Sequence, residues 1–415
     1  MIDQKRENLL NLALAATEVE RRRVPELSAG YNSYSKTWEV IVQYQGDLAF
    51  LEGQGVRVTL LLFSYAILLV PESLMDYVTG LPQITYLEKP KLLYFADAFV
   101  RSISCITPVQ EGVMGLSGNG VLLACIDSGV DYAHPDFCAP DGTSRIAILW
   151  DQTIPGNPPM GYALGSVYTR QQINEALASS TPEERFALVP SRDVTGHGTA
   201  VLGIAAGNGR SSAYAAMRGV APEATLVVVK LGNPDPADLP RTSQLLQAVD
   251  FCVRYALLVE RPLVINLSFG NNYGSHSGDS LLETYLNAVS NLGQHVICIG
   301  AGNEGDTGRH YAGNLKSDRK SSGQTQTVRA TSDPAATSAV SATTDRAVSV
   351  EFQVGAYESS FSLQIWKVYG DEISIELISP GGIRSGTLSP VLGTARLTLG
   401  STELLLFYGM PSPYS

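Results

Sequence analysis

The sequence predicts an α/β protein: a parallel sheet with helices on both faces, preceded by a small α+β module and followed by an all-β stretch. Three observations carry this. Continuous apolar runs at 121–126, 225–230, 263–267 and 295–300 read as strands buried on both faces. Helical patterns lie between these runs, and strand–helix–strand alternation implies a parallel sheet covered on both sides. The character of the chain changes before residue 100 and again after residue 315, so the expected divisions are 1–100, 101–315 and 316–415.

The first division opens with a helical pattern (Leu9, Leu10, Ala13, Leu14) that ends before Pro25. Leu9 to Ala16 resembles the apolar core of a signal peptide, but Asp3, Glu7 and Asn11 argue for a helix and against secretion by that route. An alternating strand follows at 38–44, then a second apolar strand region at 56–70. Pro71-Glu72-Ser73-Leu74 starts a short helix closed near Gly80, and 84–94 returns as extended chain.

In the second division, Leu245, Leu246, Val249, Cys252, Val253, Ala256 and Leu257 recur at helical spacing behind Thr242 and Ser243 as cap candidates. A second helix is expected at 280–292, ended by Gly293. Residues 155–192 break the rhythm and read as an insertion. In the third division, 316–337 reads as a surface linker. Strand patterns follow at 348–354, 361–368, 372–378 and 395–407, with Pro380-Gly381-Gly382 as a turn.

Composition excludes several classes. Hydrophobic residues at 44% and charged residues at 17% rule out a disordered or coiled-coil chain. Lys and Arg number 29 against 40 Asp and Glu, a net charge of −11, so nucleic acid is not an expected partner. The densest basic run, Arg21-Arg22-Arg23, reads as a solvated helix end. Five cysteines (Cys105, Cys125, Cys138, Cys252, Cys298) form no Cys-x-x-Cys pair, which leaves no zinc-ribbon or thioredoxin reading. Cys125, Cys252 and Cys298 sit in apolar runs as expected core thiols. The longest apolar stretch, 60–70, is too short to span a bilayer.

Chemistry in open α/β sheets gathers where strands end. After the first strand comes Asp127-Ser128-Gly129-Val130-Asp131; a carboxylate there can orient a histidine, hold a ribose or simply cap a turn. Next is Asp193-Val194-Thr195-Gly196-His197-Gly198-Thr199, where two glycines leave room for an imidazole to meet a partner and a substrate. The third feature, Ala301-Gly302-Asn303-Glu304-Gly305, offers an Asn carboxamide that could donate to a developing oxyanion. Each has an ordinary turn or cap reading when taken alone.

Together, Asp127, His197 and Asn303 in this order resemble the subtilisin-like serine proteases. So do Gly219-Val220-Ala221-Pro222 and Asn266-Leu267-Ser268-Phe269-Gly270; the resemblance covers about 118–310. It implies His197 as general base, Asp127 as the residue holding its tautomer, and Asn303 as side-chain oxyanion donor. It also implies that Leu267, Ser268, Phe269 and Gly270, with Gly300, Ala301 and Gly302, wall the primary specificity pocket and pair with extended substrate. Ala200 departs from the family, which usually has a second His there. The 1–100 module is similar to the family's propeptides, so the expected partners are a peptide or protein substrate and the chain's own module in the active-site groove. Its end is expected within 89–105. No cofactor is implied; a structural calcium is, with no ligand identified, and His134, His276, His295 and His310 show no zinc-ligand spacing.

The helical arm and the β stretch after Asn303 resemble the clostridial germination proteases, which insert a jelly-roll before the catalytic serine. On that resemblance 316–415 is a partial jelly-roll, and the compartment is the cytoplasm or the spore. The nucleophile itself is missing. The family needs Gly-Thr-Ser downstream of the Asn, and the one copy here, Gly142-Thr143-Ser144, precedes His197 and reads as a surface turn. Three explanations remain: a longer protease cut inside the jelly-roll, a non-catalytic relative that binds peptide or a small signal and regulates a partner, or a dinucleotide enzyme. The last needs a glycine loop after the first strand, and Gly118-Asn119-Gly120 precedes it.

Overall fold

The computed structural model of the chain describes residues 5–92, 94–95, 106–111, 115–212, 218–233, 239–305, 308, 310–313, 349–354, 358–367, 373–389 and 391–409. Contacts divide the chain into one unit of 1–300 with 366–415 and a second of 301–365.

The first unit opens with α1 (Asn8–Ala15), α2 (Glu18–Arg23) and α3 (Pro25–Ser28). An antiparallel sheet follows, built from β1 (Tyr31–Asn32), β2 (Thr37–Tyr44), β3 (Arg57–Leu60) and β4 (Tyr65–Pro71) in the order β1-β2-β4-β3. After α4 (Met75–Gly80), β5 (Ile84–Glu88) also pairs with β2. The strand region expected over 56–70 is a hairpin, because Phe63 and Ser64 take left-handed backbone at φ 59° and 63° and reverse the chain.

Side chains of β2 alternate between two environments, as the period of a strand requires. Trp38, Val40 and Val42 face the module's own core with Leu10, Leu68 and Val78. Ile41 faces the other way and joins Ile67, Tyr65 and Tyr86 in the core of the following domain. Arg21 corrects the expectation of a solvated helix end: it is buried beneath α1, donates to Ala13 O and Glu72, and lies 4.4 Å from the Tyr31 ring centroid.

Next come β6 (Tyr94–Phe95), α5 (Ile106–Glu111), β7 (Leu122–Asp127), β8 (Ile146–Asp151), β9 (Ser166–Thr169), α6 (Arg170–Leu177), α7 (Pro182–Leu188) and α8 (His197–Ala206). They are followed by β10 (Thr225–Lys230), α9 (Thr242–Leu258), β11 (Leu263–Leu267), β12 (Phe269–Gly270), α10 (Leu281–Ser290) and β13 (His295–Ile299). The large sheet runs β13-β11-β7-β10-β8-β9. All neighbours are parallel except β9, the antiparallel return of the insertion onto β8. Leu122, Ala124 and Ile126 of β7 pack under α9 and α10, while Leu123 and Cys125 pack under α6 and α8. Both faces of the inner strands are thus covered, as their apolar runs predict, but the run at 295–300 is an edge strand with Val296 and Ile299 exposed. Cys298 is a correction, an exposed thiol on edge strand β13 rather than a core one; Cys105 lies outside the described residues.

The seam between module and sheet combines apolar burial with buried charge. Each aliphatic side chain taken fully out of water there contributes about 1.5–3 kcal/mol. Asp250 on α9, fully buried, accepts from Leu62 N (3.0 Å), Tyr285 Oη (2.9 Å), Tyr162 Oη (2.7 Å) and Arg254 Nε (2.7 Å). Glu88 accepts from Leu281 N at 2.9 Å, a carboxylate at the positive end of α10. Lys91 pairs with Glu88 and, at 2.9 Å, with Glu7. Main-chain and side-chain bonds join Lys91 to Thr242 (both 2.8 Å), and Arg241 Nε meets Glu39 at 2.8 Å. Burial raises the Glu88 carboxyl, only partly countered by Lys91, and pulls Lys89 down to about 7.

After 366 the described residues hold β14 (Gly393–Leu399) and β15 (Thr402–Tyr408), an antiparallel hairpin. It replaces the single strand expected over 395–407, the chain turning at Gly400, whose φ is +68°. Residues 373–389 form only isolated bridges, Ile375 with Leu388 and Ile378 with Arg384. The hairpin leans on the module: Leu405 packs on its core, and Arg396 meets Glu20 and the carbonyl of Ala15. No strand forms among the described residues of 348–354 and 361–368, and the linker at 316–337 lies outside them.

Candidate active site

β7 ends on Asp127 and α8 begins on His197, and the sheet brings the two together across 70 residues of sequence. Gly196, at φ +77°, turns the chain into α8. Gly198 lets the helix approach: a Cβ there would lie 2.1 Å from Gly129 O and 3.1 Å from the Asp127 side chain, so no larger residue fits. The two glycines around His197 therefore have structural causes of their own.

His197 Nδ1 lies 2.7 Å from Asp127 Oδ1, which also accepts from Ser128 N at 2.7 Å. The Asp127 side chain is 1% exposed and that of His197 11%. A buried carboxylate only accepts, so the imidazole proton resides on Nδ1 and the lone pair on Nε2. A ring held this way can accept a proton at Nε2. Asp127 Oδ2 is buried with no hydrogen-bond partner among the described residues.

Asp193 is the residue that sequence reasoning quoted without assigning. Its carboxylate accepts from Ser128 Oγ (2.8 Å), Thr195 Oγ1 (3.1 Å), Gly196 N (3.0 Å), Thr199 N (2.8 Å) and Thr199 Oγ1 (2.7 Å). Ser128 Oγ in turn accepts from Gly198 N at 2.9 Å. One side chain thus ties the residue after Asp127 to both flanks of His197. Burial alone would raise its pKa, but bonds from Thr199, Ser128 and Gly196 outweigh burial and hold it below the usual carboxylate range. The available signal was an Asp with Thr and Gly two and three residues on, a composition that closes side-chain-to-backbone loops.

The proposed pocket wall begins where β11 ends beside β7, with Leu267 opposite Ile126. Leu267 and Phe269 are buried and Gly270 is exposed. Ser268 Oγ accepts from Asn266 Nδ2 at 2.8 Å, and Gly300 N donates to Leu267 O at 2.9 Å. β12 pairs antiparallel with β6, Phe269 opposite Phe95 and Gly270 opposite Tyr94. Asn271 Nδ2 reaches Leu92 O at 3.2 Å. The chain's own segment therefore runs along this wall as an added strand. Ala301, Gly302 and Asn303 open the second unit, where all three are exposed and Gly302 has φ +89°.

Ser144 is occupied structurally. It is buried beyond a tight turn, its Oγ accepting from Ile146 N at 3.0 Å and its N donating to Asn174 at 2.8 Å. Among the described residues no group of three or more His, Cys, Asp and Glu side chains is placed to hold a metal ion.

Comparison with known proteins finds relatives over both the module and the large sheet. Residues 118–404 match the model of the subtilase family, and residues 4–91 match that of the Csp protease B prodomain. The structure of the Clostridium perfringens CspB protease superposes with a TM-score of 0.57 at 27% identity, covering 75% of this chain and 58% of that one. Subtilisin E of Bacillus subtilis is 26% identical over 228 residues, which are 55% of this chain and 46% of that protein. The major intracellular serine protease of the same species is 30% identical over 205 residues, 49% of each. The chain spans about half the length of the curated relatives it matches.

Proposed function

Since the chain belongs to the subtilase family, we propose that it carries the Asp and His of a serine endopeptidase that hydrolyses peptide bonds through an acyl-enzyme. The observation that carries this is the 2.7 Å contact of Asp127 with His197 at a strand end and a helix start. Asp127 holds the tautomer and stabilises the imidazolium. His197 takes the proton of a serine hydroxyl as it attacks the carbonyl, then returns it to the leaving amine. Asn303 donates to the oxyanion, a contribution of about 2.7–4 kcal/mol in subtilisin itself, from which the figure is taken. Leu267 to Gly270 and Gly300 to Gly302 pair with extended substrate, a reading supported by the pairing of β6 with Phe269 and Gly270.

No Gly-Thr-Ser follows Asn303 in the sequence, so these 415 residues supply the base and not the nucleophile. The β6–β12 pairing also favours a second reading, a peptide-binding relative that regulates a partner without catalysis. The cytoplasm or the spore is the compartment in either case, and no helix among the described residues is long and apolar enough to cross a membrane.

A fluorophosphonate should label the 415-residue chain at no stoichiometric level. Joined to a segment bearing Gly-Thr-Ser, the protein should cleave a peptide ester, and His197→Ala should lower kcat by on the order of 10⁶-fold, a magnitude borrowed from subtilisin. Full activity of that variant would remove the triad assignment. No activity in the joined wild-type protein would favour the binding reading.

A further inference from the structure

Opposite the dyad, α8 ends in carbonyl groups that no later helical turn can satisfy. Val220 N and Ala221 N donate to Ile204 O (3.0 Å) and Ala205 O (2.8 Å). The last carbonyl, Ala206 O, receives Arg145 Nη1 at 2.7 Å. The same guanidinium reaches Asp136 O at 3.0 Å through Nη1, and Ala224 O at 2.9 Å and Ala221 O at 3.4 Å through Nη2. Four main-chain oxygens from three separate segments converge on one cation. The Asp136 carboxylate is held alongside, accepting from Ser211 N at 2.7 Å.

Convergent carbonyls with a neighbouring carboxylate are the donor set of a hard divalent cation such as calcium, which takes six to eight oxygens. Here the centre of the set is already filled. The planar guanidinium suits the place because its several N–H groups diverge in one plane toward acceptors on different segments. Burial lowers Arg145 to about 10, opposed by the Asp136 and Glu223 carboxylates, so it stays charged at neutral pH.

We propose that Arg145 is the resident cation of this carbonyl cage, holding the far end of the His197 helix without a bound metal. The structural calcium implied by family resemblance has no vacant carbonyls here. A cavity of about 440 Å³ whose lining includes Arg145, Asn208, Arg210, Arg218 and Glu223 adjoins the cage.

Thermal unfolding of the 415-residue chain tests this without recourse to activity. The wild-type midpoint should be the same in EDTA and in millimolar calcium. Arg145→Ala should lower it by more than about 4 °C. Guanidinium chloride at about 20 mM should recover at least half of the loss by mass action, while equimolar urea recovers none. Arg145→Lys, whose single ammonium cannot span four carbonyls, should fall between the two and covers the case in which the Ala variant does not fold. The proposal is overturned if Arg145→Lys matches the wild type, if guanidinium and urea act alike on Arg145→Ala, or if calcium raises the wild-type midpoint and Arg145→Ala abolishes that response.

Discussion

The dyad corner and the seam between module and sheet both bury carboxylates, yet they are wired differently. At the corner, the hydrogen bonds of Asp127 and Asp193 among the described residues come from two short stretches, 127–128 and 193–199. At the seam, Asp250 gathers donors from Leu62, Tyr162 and Tyr285, three distant parts of the chain, and from Arg254 on its own helix. A loop that bonds to itself holds its shape at the cost of little added chain entropy. A hub fed from three distant segments holds them to its own helix, and its loss is felt in all of them.

Breaking the hub should therefore have the largest effect. Asp250→Ala leaves two phenols, an amide and Arg254 facing a hole, and about 3–5 kcal/mol of stability should be lost in urea unfolding. A loss below about 1 kcal/mol would mean that the apolar seam alone holds the module.

The second test uses pH at the same seam. Lys89 is a base whose folded pKa, about 7, lies below its unfolded value. The unfolded chain thus binds more protons between pH 7 and 10, and stability rises with pH across that window. The rise should be on the order of 3 kcal/mol, and Lys89→Met should flatten it. An equal rise in the variant would assign the effect to another group.

The smallest effect belongs to the corner. Asp193 has a lowered folded pKa, so its contribution is present above the unfolded value and fades as pH falls through the folded one. Asp193→Asn should cost about 1–2 kcal/mol, read as faster amide exchange at Gly196 and Thr199 at neutral pH. Unchanged exchange would show that the glycines and threonines close the loop unaided.

The same contrast explains what the sequence disclosed. Asp127 and His197 were legible because each sits in a short motif at an element boundary. Four strands of the large sheet, β7, β10, β11 and β13, were legible as apolar runs. β9 was not assigned, since the insertion that holds it carries no strand periodicity, and β8, the short run at 146–151 just before that insertion, was passed over. Arg21 looked solvated because its aromatic partners Tyr31 and Trp38 lie in the next elements. Asp250 shows only its i,i+4 partner Arg254 locally, and tertiary structure alone reveals its donors from Leu62, Tyr162 and Tyr285. Cys298 reads as core from its neighbours, but its strand lies at the sheet edge.

The pairing of β6 with β12 has a consequence for any ligand of that wall. A strand tethered a few residues from a buried anchor competes as though present at millimolar effective concentration. A free peptide of the same intrinsic affinity would have to reach that concentration before it held half of the sites. If that wall takes peptide as proposed, its occupancy depends on the tether between Leu92 and β6, and a cut there would turn a concentration-independent contest into an ordinary bimolecular one.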